Sequence, residues 1–138
     1  MAGKSDFTAQ EWEHLRRGVT GAGLLVATSD RSFFDSFKEA ASMGNYLEAS
    51  RKDESQLVRE LASEIGTGFS FTESASEVES GATGVLRASV RTLQAKAPDE
   101  LAAYRVFVLE LARAVGEAAG GGDAAETAAI GRIEAALA

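Results

Sequence analysis

Apolar residues recur at alternating steps of three and four along nearly the whole chain, and no stretch keeps the two-residue alternation of a strand. A chain patterned this way buries its apolar surface by packing amphipathic helices on one another. The clearest seam is Trp12, Leu15, Val19, Ala22 and Val26. Thr8 stands ahead of it with Glu11 three residues on, the spacing of a capping box, and Phe7 with Trp12 fits a hydrophobic staple. The first helix is expected to end near Thr28.

A polar turn, Ser29-Asp30-Arg31-Ser32, precedes a second helix reaching about Ala49, with Phe33, Phe37, Ala40, Gly44 and Leu47 on one face. The third is expected from Asp53 to Ile65, with Leu57, Val58, Leu61 and Ile65 inward and Gly66 suited to its end. A fourth is expected from after Thr72 to Lys96, using Val78, Ala82, Val85, Leu86, Ser89 and Leu93. Gly81 and Gly84 are poor helix formers, and whether the helix continues through them or kinks or breaks there is left open by the sequence. Pro98 opens a fifth helix, with Asp99 and Glu100 placed for the helix dipole and Leu101, Tyr104, Val108, Leu111 and Val115 in register. Gly120–Gly122 stops it. A sixth helix carries Ile130, Ile133 and Leu137 inward.

These elements predict an all-α fold, a compact bundle of about six helices forming a single domain over residues 1–138, with the first few residues expected to be disordered. Several seams contain small residues, Gly18, Gly21, Gly23, Gly44, Gly116 and Gly131 among them, which permit close backbone approach. The Gly18–Gly23 stretch is the expected helix crossing; a ligand lying against exposed backbone is the alternative.

Composition narrows function by exclusion. With no cysteine and one histidine, the chain holds no disulfide, no thiolate zinc site, no catalytic cysteine and no site needing two of its own imidazoles. The net charge is −7, spread as 8 basic against 11 acidic groups in residues 1–72 and 6 against 10 in residues 73–138. Such a surface repels phosphate backbones, so no nucleic-acid partner is expected. No run is long and apolar enough for a membrane span, and the expected location is cytoplasmic.

Four sets of residues could carry chemistry. Glu11 and His14 have the Glu-x-x-His spacing of di-metal bundles, but one histidine supplies only half of such a pair, and a capping Glu11 accounts for the motif. Asp123 with Glu126 could offer hard oxygen ligands to a divalent cation, and equally serve as a cap. The i,i+4 carboxylate pairs Glu60/Glu64 and Glu73/Glu77 could attract a cation or a basic partner; solvated surface is the simpler reading. Phe34, about 100° round the helix from Phe33, would with Met43 and Tyr46 mark an interaction surface if exposed. The alternative is a wide buried face. No nucleophile elbow, P-loop or dinucleotide fingerprint is present, no cofactor is implied, and an enzyme is not expected.

The run from Tyr104 to Leu137 resembles the end of the tellurite-resistance TerB-like family: an apolar helix ending in Ala119, the Gly120–Gly122 and Asp123 loop, Glu126 at the next helix start, and a closing Ile133-x-x-x-Leu137. The family usually has Asp-Gly in this loop, whereas here the glycines precede Asp123 and Ala124 follows it. The resemblance covers about 35 residues well and implies a helical fold and a stress-associated bacterial setting. The expectation from residues and resemblance together is a non-enzymatic helical module that binds a partner protein or itself, with a metal-ion or small apolar-ligand binder as the alternative.

Overall fold

The computed structural model describes residues 3–27, 44–65, 75–118 and 124–138. In chain order these form a 3-10 turn (Lys4–Asp6), α1 (Ala9–Ala27), α2 (residues 44–50), α3 (Gln56–Ile65), α4 (Ala75–Lys96), a second 3-10 turn (Pro98–Glu100), α5 (Leu101–Ala118) and α6 (Ala124–Leu137). Among the described residues there is no strand, and the architecture is an all-α compact bundle.

The start of α1 follows from its sequence. The Glu11 N–H donates to Thr8 Oγ1 at 3.1 Å and the Thr8 N–H to Glu11 Oε1 at 2.8 Å, so the box satisfies two amides that a helix end leaves unpaired. The Phe7 and Trp12 rings lie 6.1 Å apart beneath it. Beyond this cap, α1 becomes the centre of the bundle. It packs most extensively on α4 and α5, and α6 closes over both of those helices. Its seam of Leu15, Val19 and Ala22 is fully buried.

Gly18 and Gly21 set how closely α1 and α4 approach. A Cβ on Gly21 would sit 3.0 Å from Cβ of Ala82, and one on Gly18 would sit 3.1 Å from Leu86 Cδ2 and 2.5 Å from the Tyr104 hydroxyl oxygen. The expected crossing therefore lies where the small residues stand. Not every small residue plays this part: Gly44 and Gly131 are exposed, so the seam role expected of them does not hold. The inward face of α6 is formed by Ala129, Ile133, Ala136 and Leu137, and Gly131 lies two residues from Ile133, about 200° round.

The space above Gly18 is filled by two hydroxyls. The Tyr104 phenol, fully buried, donates to the Leu15 carbonyl at 2.8 Å. Ser89 Oγ lies 3.0 Å from the His14 carbonyl and 2.9 Å from the Val85 carbonyl. Both groups thus keep a hydrogen-bond partner in the apolar core, where an unpaired hydroxyl costs roughly 1–3 kcal/mol.

One expected boundary needs correction. The third helix begins at Gln56 and not Asp53, because Ser55 acts as its cap: Ser55 Oγ accepts the Val58 N–H at 3.3 Å. Asp53 instead turns the chain into it, its carboxylate taking the Ser55 N–H at 2.9 Å. At Gly81–Gly84 the structure decides between the two alternatives: α4 runs unbroken for 22 residues to Lys96, the end expected of it. Both glycines face outward, while Ala82 and Leu86 beside them are held against α1. Burial of the inward face outweighs a propensity loss of about 1 kcal/mol for each glycine.

Candidate functional site

An open concavity lies on the surface of α3. Five side chains line it: Lys4 from the N-terminal turn, and Arg59, Glu60, Ser63 and Glu64 from the outward side of α3. Its volume is about 350 Å³. The site exists because α3 presents two faces. Leu57, Val58, Leu61, Ala62 and Ile65 bury into the core, which leaves the charged residues between them on the outside.

Glu60 and Glu64 sit one turn apart, and the chain answers both with Lys4. The Lys4 amide donates to Glu60 Oε2 at 2.6 Å and its ammonium to Glu64 Oε1 at 2.8 Å. Gln56 Nε2 donates to Glu60 Oε1 at 3.2 Å, and the Trp12 indole N–H donates to Glu64 Oε2. The Lys4 ammonium and the Trp12 indole hold the Glu64 carboxyl below the ordinary glutamate range, against the opposing effect of partial burial. At the other end of the groove, Arg59 Nη1 reaches back to the carbonyls of Asp53 and Glu54 at 2.7 and 3.0 Å, and Ser63 Oγ donates to the Arg59 carbonyl. The result is a shallow, solvent-open surface of mixed charge. Its exposed lining is mostly the aliphatic stems of these side chains, and it is an open surface rather than an enclosed space for a small molecule.

The residues singled out in the sequence fall as follows. Glu11 completes the α1 cap and pairs with the Lys96 ammonium, and these contacts lower its pKa. His14, three residues on, is half-buried, and its backbone carbonyl receives Ser89; the two do not form a ligand pair with further carboxylates. Among the described residues no three of His, Asp or Glu come together as a metal-binding group. Asp123, Phe34, Met43 and Glu73 lie outside the described residues, as do the side chains of Glu126 and Glu77. Tyr46 is half-buried on α2, stacked on Phe107 at 5.9 Å, with burial pushing its phenol up to about 12.

One polar pair was invisible to sequence reasoning. Glu100, buried at the start of α5, receives the Ser55 hydroxyl at 2.6 Å across 45 residues. Ser55 thus ties the start of α3 to the start of α5. The Tyr104–Ser89 pair sets no base beside a nucleophile: Tyr104 donates to a carbonyl, and burial raises its pKa so that it stays neutral. Among the described residues no helix is long and apolar enough to cross a membrane. No family model matches the chain, and neither a curated protein nor a solved structure does.

Proposed function

We propose that this chain is a non-catalytic helical module that binds a partner protein through the groove on α3. The observation that carries the reading is the groove itself, where Arg59, Ser63, Glu60 and Glu64 line an open surface beside Lys4. Its two carboxylates already accept an ammonium and a backbone N–H, the groups that an extended basic segment of a partner presents. The net charge of −7 adds a long-range attraction for such a partner. The buried hydroxyls of Tyr104, Ser89 and Ser50 are engaged in bonds to backbone carbonyls, which supports a structural use for them. On the TerB-like resemblance of residues 104–137, the module belongs to a stress-associated setting in the bacterial cytoplasm.

The test is affinity capture with wild type and a Ser63→Arg variant side by side. Ser63 is exposed, so the larger cation fills the groove without touching the core. Partners held by wild type and lost by the variant support the groove. Identical retained sets at physiological ionic strength would refute it.

A further inference from the structure

We draw no further inference here: the strongest candidate, the exposed stripe of Ala124, Ala128, Gly131 and Ala135 along the outer face of α6, is a surface of small residues, and nothing in the structure shows what covers it.

Discussion

Replacing Gly18 by alanine puts a single methyl group at the tightest point of the bundle. In an exposed helix this change stabilises by about 1 kcal/mol through helix propensity. At Gly18 the new carbon would stand 2.5 Å from the Tyr104 hydroxyl oxygen and 3.1 Å from Leu86 Cδ2. Neither neighbour has room to retreat: Tyr104 and Leu86 are both fully buried. Either α1 moves off α4 and α5, or Tyr104 shifts and its bond to the Leu15 carbonyl breaks. Overpacking costs about 1–3 kcal/mol and a buried hydroxyl left unpaired a similar amount. After the propensity gain of about 1 kcal/mol, a net destabilisation of about 1–2 kcal/mol is expected. Urea unfolding followed by circular dichroism measures it, with Tyr104→Phe and the double variant completing a cycle. Because Tyr104→Phe removes the atom nearest the new methyl, Gly18→Ala should cost at least about 1 kcal/mol less in that background. A Gly18→Ala protein as stable as wild type, or strictly additive effects in the double variant, would refute the crossing geometry.

Other outcomes follow from the same contacts. Gly81→Ala and Gly84→Ala, where an added Cβ meets nothing described within 4 Å, should each raise stability by about 0.5–1 kcal/mol in the same urea assay. Ser55→Ala removes both the cap of α3 and the hydrogen bond to buried Glu100, and should cost about 2–3 kcal/mol, more than Thr8→Ala at an exposed cap. Glu11, Glu13 and Glu64 all have carboxyl pKa values lowered from 4.5, by Lys96, Arg16 and Lys4 respectively. Their stabilising contribution is complete above that value and lost as pH falls through the lowered native values, so the melting temperature should hold near neutrality and drop below pH 4.5. The two tyrosines are both raised by burial, Tyr46 to about 12, so spectrophotometric titration of the folded protein should show no phenol ionising near pH 10. The stabilising effect of these neutral phenols is full below 10 and lost as pH rises through their native values.

What the sequence disclosed was the part of the fold governed by local spacing. The α1 cap and staple, the Leu15–Val19–Ala22 seam and the crossing at Gly18 and Gly21 are periodic or adjacent in the chain, so each can be read from neighbours three or four residues apart. The start of α3 was misplaced because Asp53 and Ser55 are both good cap residues, and only the bond from the Val58 N–H distinguishes them. Whether α4 ran unbroken stayed open for a different reason: a glycine's propensity is local, but the packing that overrides it comes from α1. The candidate site was half legible. Glu60 and Glu64 stood out as like charges on one face, yet nothing local marks Lys4 as their partner 56 and 60 residues away. The bonds from Tyr104 to Leu15 and from Ser55 to Glu100 are equally remote, joining a side chain to a group that no spacing rule connects with it.

The central claim is that the α3 groove is where this module meets its partner, and a photoreactive residue placed at position 63 tests it most directly. The same residue at position 106 provides the comparison, since Val106 is a large apolar side chain left exposed on α5, 59% accessible and outside the groove. Irradiation in cells followed by mass analysis should yield a covalent adduct with another protein from position 63 and none from position 106. Adducts from position 106 alone, or none from position 63, would contradict the account.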